Sequence, residues 1–116
     1  MTISTIIINR APYGEELAWN ALRLAQALCV KDIYVNIFLL GDAVFVAKKG
    51  QTTPAGYYNL KDMLEDLSKR GVRVGVCGTC AKSRGLSEED LIDGAKISRM
   101  MDLADWIKES QHVLTF

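Results

Sequence analysis

The sequence predicts an α/β fold: a three-layer α/β/α sandwich around a mainly parallel sheet of about five strands. Three observations lead there. Residues 3–9 and 33–40 are near-continuous apolar runs rich in β-branched side chains, as strands buried on both faces require. Between such runs lie segments whose apolar residues recur at helical spacing. Strand and helix patterns alternate along the whole chain, which is the order of repeated parallel crossovers.

Taken in order, residues 3–9 predict the first strand and residues 10–14 a turn, with Pro12 setting the backbone and Gly14 freeing it. Glu15 and Glu16 are expected in the first turn of a helix, where the macrodipole favours acids. Leu17, Ala18, Ala21, Leu22, Ala25 and Leu28 form its core stripe, and Cys29 is expected to pack beside it. Residues 33–40 predict the second strand. Gly41 breaks it, and Asp42 is expected to N-cap a short helix over 43–48. Residues 51–58 are a loop, with Tyr57 and Tyr58 either facing a partner or packing on a core edge. Asn59 caps a helix carrying Leu60, Met63, Leu64 and Leu67, and Lys69-Arg70-Gly71 stops it. Ser87 to Asp90 resembles a capping box opening a short helix that ends at Gly94. A short strand over 95–97 follows. An amphipathic helix over 98–109 is expected to turn Ile97, Met100, Met101, Ala104 and Ile107 inward. Residues 112–116 predict a last strand tucked into the sheet.

The stretch that the rest serves is residues 72–85. Val72, Val74 and Val76 alternate as in a strand, which runs directly into Cys77-Gly78-Thr79-Cys80. Two thiols two residues apart at the carboxyl end of a buried strand stand where parallel α/β sheets place ligands and chemistry. A thiol acts as thiolate, and backbone N–H groups, a helix N-terminus or a cation lower its pKa. Lys82 and Arg84 are the candidate cations, and Gly78 and Gly85 permit tight turns. A buried cysteine is also an ordinary small apolar residue. The pair, its spacing and its glycines favour chemistry or metal binding over packing alone.

The 116 residues suit a single domain, 1–116. Lys+Arg and Asp+Glu are 14 each, so no basic excess points to nucleic acid or an anionic membrane. No apolar run spans a bilayer and the N-terminus lacks a signal-peptide pattern, so the cytoplasm is the expected location. There, three cysteines are not a disulfide framework. Zero net charge with 49% hydrophobic residues suggests that other subunits cover part of the surface. Neither dinucleotide nor P-loop glycine motifs occur, and no nucleophile-elbow serine motif occurs. His112, the only histidine, is expected to be structural. An intrachain zinc would need Cys77, Cys80 and two more ligands, for which Cys29 and His112 have unfamiliar spacing. No metal and no cofactor are therefore expected.

Several segments together resemble the DsrE/DsrF-like family, most closely its YchN branch, along essentially the whole chain. They are Ala11-Pro-Tyr-Gly14, Asn20-Ala-Leu-Arg-Leu-Ala25, Phe38-Leu-Leu-Gly-Asp-Ala-Val44, Gly50-Gln51, Gly56-Tyr57, Met63-Leu-Glu65, Cys77-x-Thr-Cys80 with Arg84-Gly85, Leu91-Ile-Asp-Gly94 and Val113-Leu-Thr-Phe116. The resemblance implies a DsrE-like α/β fold and a homo-oligomer, with a hexamer expected. In sulfur-relay members of the family, a cysteine at the end of this strand carries sulfur as a persulfide, and Cys77 matches it. Cys80 is shared with the YchN branch but not with TusD.

The leading expectation is thus a sulfur carrier, possible as a sulfurtransferase, with sulfur donor and acceptor proteins as partners. Cys77 and Cys80 are the catalytic candidates. Gly78, Thr79, Lys82, Arg84, Tyr13, Asp42 and Tyr57 are candidates for lining the site. A CxxC thiol–disulfide switch and a non-catalytic oligomeric binding module are the alternatives, the latter with thiols packed or shared across an interface to hold a metal.

Overall fold

The computed structural model describes all 116 residues. The elements are β1 (Ile3–Ile8), α1 (Leu17–Val30), β2 (Tyr34–Leu39), α2 (Leu60–Lys69), β3 (Arg73–Cys77), α3 (Gly78–Ser83), β4 (Ala95–Ser98), α4 (Met100–Glu109) and β5 (His112–Thr115). Two 3₁₀ turns, Gly41–Ala47 and Glu88–Asp90, stand after β2 and before β4. The sheet order is β4-β3-β2-β1-β5, and every pairing is parallel. The fold is α/β with a five-strand parallel sheet, as expected. From β1 to β4 the chain steps one strand at a time in one direction, so its crossovers pack on one face. It then returns from the β4 edge to the β5 edge in one move, and α4 alone covers the other face.

The first face holds the main core. Ile6, Ile37 and Val74 stand in one row across β1, β2 and β3. Against them pack Ala18, Ala21, Leu22 and Ala25 of α1 and Leu60, Leu64 and Leu67 of α2, all fully buried. Three alanines in the α1 stripe let that helix come close to the sheet. Asn59 accepts the Asp62 N–H at 3.1 Å, capping α2 as its sequence predicts.

The second face is thinner. Phe38 and Leu103 are buried there beside Cys77, and Trp106 meets Phe38 edge-on with centroids 5.7 Å apart. Gly75 makes room: a Cβ there would stand 2.8 Å from Phe38 Cδ2 and 3.1 Å from Trp106 Cη2. A directed chain of polar groups seats α4 on the sheet. Arg73 Nε donates to Asn36 Oδ1 (2.8 Å), and Asn36 Nδ2 donates to Thr5 Oγ1 (3.2 Å). The Thr5 hydroxyl lies 2.7 Å from Ser110 Oγ, which donates to the Trp106 carbonyl at 2.6 Å. Asn36 and Thr5 are buried, so this chain satisfies groups that would otherwise be orphaned. Arg73 also pairs with Glu109 and lies 4.9 Å from the Trp106 ring centre.

One helix is about 10 Å wide, whereas four inter-strand spacings span about 19 Å. Half of this face therefore lacks cover within one chain, which corrects the expected orientation of α4. Its inward residues are Leu103 and Trp106. Met100 is 60% and Met101 66% exposed, and Ile97, Ala104, Ile107 and Val113 are exposed as well. The inward stripe chosen from sequence was the apolar face that has no partner in the monomer.

Three smaller expectations also change. Glu15 and Glu16 precede α1, whose first residue is Leu17. Asp42 caps no helix: Leu40 stands before the 3₁₀ turn, and the Asp42 carboxylate is drawn to Arg84 instead. The capping box is present, with Ser87 N donating to Asp90 Oδ2 at 2.8 Å, but it closes only one 3₁₀ turn. No helix continues to Gly94, because Lys49 N bonds Asp90 O and Ile92 N bonds Ala47 O, which ties the segment to the loop after β2. The expected last strand does join the sheet, as residues 112–115 at its edge beside β1, with side chains largely exposed. His112 Nδ1 lies 3.3 Å from Ser4 Oγ, a structural contact as expected.

Candidate functional site

Strand β3 delivers Cys77 to the carboxyl edge of the sheet, and the chain turns at once into α3. Cys77 is the residue before this helix, and its Sγ accepts the Cys80 backbone N–H at 3.3 Å. The i to i+3 spacing that makes this cap bond also sets both thiols on the same first turn of α3, lining one hollow. Gly78 serves by close approach and not by a special turn: a Cβ there would lie 3.1 Å from Ile97 Cγ2 and 3.5 Å from Ser98 O. Gly85, with φ +73°, ends the segment in the left-handed region as expected.

Residues 77–80 and 97–100 line a half-open cavity of about 520 Å³. The β3–β4 register explains the meeting, since Cys77 is aligned with Ser98. Cys77 and Cys80, with Gly78 and Thr79, thus face Ile97, Ser98, Arg99 and Met100. The last four were missed by sequence reasoning. The available signal was their position just after the neighbouring strand, which in a parallel sheet ends at the same edge.

Arg84 supports the site without touching a thiol. Its Nη1 donates to the Cys80 carbonyl (3.1 Å) and its Nε to Asp42 Oδ1 (2.9 Å), tying α3 to the turn after β2. Lys82 is exposed and does not line the cavity. The expected cation-activated thiolate is therefore corrected. Burial pushes the Cys77 thiol above its ordinary range, and the neighbouring Cys80 thiol adds to this, while the Cys80 and Thr79 N–H groups pull it back. Cys29, half-buried at the end of α1, is also pushed up by burial, with Arg70 opposing. It adjoins a separate hollow of about 260 Å³ by residues 32–35 and 70–72, at the other end of the sheet.

Tyr13 and Tyr57 do not line the thiol cavity. They belong to an aromatic stack over α1. Tyr57 lies 5.2 Å from Tyr58, Tyr58 lies 4.6 Å from Trp19, and Arg23 caps Trp19 at 4.5 Å. Tyr13 OH donates to Gln51 Oε1 at 2.7 Å and accepts the Leu60 N–H, bracing the loop over 51–58. Asp42 likewise acts through Arg84 and not at the cavity.

The raised thiol has a consequence for pH. Cys77 holds its proton past the pH at which an ordinary cysteine ionises, so little thiolate exists at neutrality. Iodoacetamide labelling of Cys77 is expected to keep accelerating with pH after the rate for a free cysteine peptide has levelled off. A plateau at or below the peptide's would show that something other than burial governs this thiol.

The fold and site define a class: a parallel α/β domain with a dithiol at the end of an inner strand, opening into a mixed cavity. Comparison with known proteins makes this specific, for residues 3–116 match the model of the DsrE/DsrF-like family. The chain belongs to that family. It is 50% identical over 112 residues to an uncharacterized protein of Methanocaldococcus jannaschii, covering 97% of each chain. It is 42% identical over 113 residues to Protein YchN of Escherichia coli, covering 96% of each. The crystal structure of the E. coli ychN protein superimposes with a TM-score of 0.93 over 100% of both chains. Two more distant relatives have names that bear on chemistry. The intracellular sulfur oxidation protein DsrF of Allochromatium vinosum is 31% identical over 87 residues, 73% of this chain and 64% of that one. The sulfurtransferase TusD of Buchnera aphidicola is 25% identical over 125 residues, 97% of this chain and 98% of that one. Both names are of proteins that handle sulfur.

Proposed function

We propose that this chain is a cytoplasmic sulfur carrier in which Cys77 holds sulfur as a persulfide. The observation that carries the reading is that Cys77 and Cys80 share one cavity, at the strand end where chemistry is placed in parallel sheets. The Cys77 thiolate attacks the outer sulfur of a donor persulfide, forming its own S–S bond and releasing the donor as a thiolate. An acceptor thiolate then takes the outer sulfur and Cys77 returns as thiolate. Alternatively, Cys80 attacks Cys77 Sγ, hydrosulfide leaves, and a Cys77–Cys80 disulfide remains until two external thiols reduce it. Donor and acceptor are proteins or small molecules that present a sulfane sulfur or a thiol.

Mass spectrometry after treatment with a sulfane-sulfur donor tests this. A gain of one sulfur on the Cys77 peptide is expected. A loss of two hydrogens with no sulfur-bearing species would favour a dithiol–disulfide switch, for which the closeness of the two thiols is the supporting observation. No change would sink both.

The same reading includes a homo-oligomer, with a hexamer expected. Its support is the uncovered apolar half of the α4 face, where Met100, Met101 and Ile107 have no partner. Sedimentation is expected to give a multiple of the 12.9 kDa chain at micromolar concentration, and Met101→Lys to shift it toward monomer. A wild-type monomer would overturn this part.

A further inference from the structure

The geometry points to a soft-metal site on the same cavity: Cys77 and Cys80, with the Met100 thioether on the facing wall, are arranged to hold one copper(I) ion. The donor set carries this. Thiolates and thioethers select soft monovalent copper, whereas oxygen and imidazole donors suit harder ions. Here Cys77 and Cys80, three residues apart with the Cys80 N–H on Cys77 Sγ at 3.3 Å, line one hollow, and the further soft donor among its residues is the polarisable Met100 thioether. Zinc makes a stricter demand, four ligands in a tetrahedron. The chain brings together no group of three or more His, Cys, Asp or Glu side chains anywhere. The sequence expectation of no metal rested on that four-ligand demand. Copper(I) is content with two sulfurs, and a third from a mobile side chain closes the site.

The surroundings fit the ion as well as the donors do. Ile97 contributes an apolar part of the wall beside the thiols. Met100, at the start of α4, lines the same hollow, and its unbranched side chain has the rotamers to adapt to an ion at the thiols. Binding replaces two thiol protons by one copper(I) ion, leaving a bis-thiolate complex with one net negative charge and releasing two protons. Arg99 stands at the rim of the cavity paired with Asp102, and Arg84, paired with Asp42, holds the Cys80 carbonyl at 3.1 Å, so α3 is fixed beside the thiols. Proton release makes affinity rise with pH. Copper and a persulfide compete for the same sulfur, so a copper-loaded chain refuses sulfur.

The test uses the full chain, reduced and anaerobic, with copper(I) supplied alone and then challenged with a coloured copper(I) chelator. One copper per chain is expected to be retained. On the wild-type protein, copper(I) is expected to protect Cys77 and Cys80 from iodoacetamide while Cys29 labels at its metal-free rate. Met100→Leu, which keeps the side chain's size and apolar character, is expected to weaken retention by about tenfold, the scale of one supporting contact at a metal site. Cys80→Ser is expected to abolish it. Zinc supplied in the same way is expected to give no protection. Three results would overturn the site: full loss of copper to the chelator, protection confined to Cys29, or zinc protecting as well as copper. No sulfur donor is present, so failure here would leave the persulfide reading standing, and failure of sulfur loading would leave this one.

Discussion

Replacing Cys77 with Ser is expected to reduce sulfur loading to background while the protein stays folded. The Cys77 sulfur has two separable roles, nucleophile and cap. As a cap it accepts the Cys80 N–H before α3, and a serine hydroxyl accepts that bond at least as well, since Ser is among the preferred residues there. As a nucleophile it has no substitute, because a hydroxyl neither ionises in this range nor forms an S–S bond. Any stability change should stay within about 1 kcal/mol, the ordinary scale of exchanging one cap for another. Cys80→Ala should behave oppositely: it keeps loading and lengthens the life of the persulfide, because the thiol able to expel hydrosulfide is gone. Cys29→Ser, at the other end of the sheet, should load as the wild type does. Loading by mass spectrometry and melting by circular dichroism, followed together on the three variants, decide the roles. Undiminished loading in Cys77→Ser would refute its assignment, and loss in Cys80→Ala alone would move the role to Cys80.

The largest effect on stability is expected from Phe38→Ala, a loss of about 3–5 kcal/mol. Phe38 is fully buried and heads the largest of the completely enclosed side chains. It meets Trp106 edge-on from above and fills the space that Gly75 leaves beside it. Removing the ring leaves a cavity that α4 is poorly placed to collapse into, because the chain from Arg73 through Asn36 and Thr5 to Ser110 pins that helix to the sheet. The same void would lie beside Cys77, which shares the cluster with Phe38 and Leu103. Urea unfolding should therefore show a lowered midpoint together with faster alkylation of Cys77. A loss below about 1 kcal/mol would mean that the thin face contributes little to the fold.

The sequence by itself determined the layers and the location of the chemistry. The apolar runs of β1 and β2 read as inner strands of a parallel sheet, and the Ala18–Ala21–Leu22–Ala25 stripe as the buried face of α1. Asn59 and its following leucines fixed α2. The CxxC spacing after an alternating valine strand located both thiols, because a local pattern sets that geometry within three residues. Tertiary structure decided what meets those thiols. Ile97 to Met100 reach the cavity through the β3–β4 register, a pairing between segments some twenty positions apart that no local period encodes. Asp42 had a capping pattern, yet a nearby guanidinium won its carboxylate. Lys82 and Arg84 were close in sequence to the thiols, yet burial and not their charge sets the Cys77 proton. Met100, Met101 and Ile107 had a helical stripe that looked like core. A stripe says only that one face is apolar. Which partner covers it depends on how many helices the topology places on that side of the sheet, and the single return crossover places one.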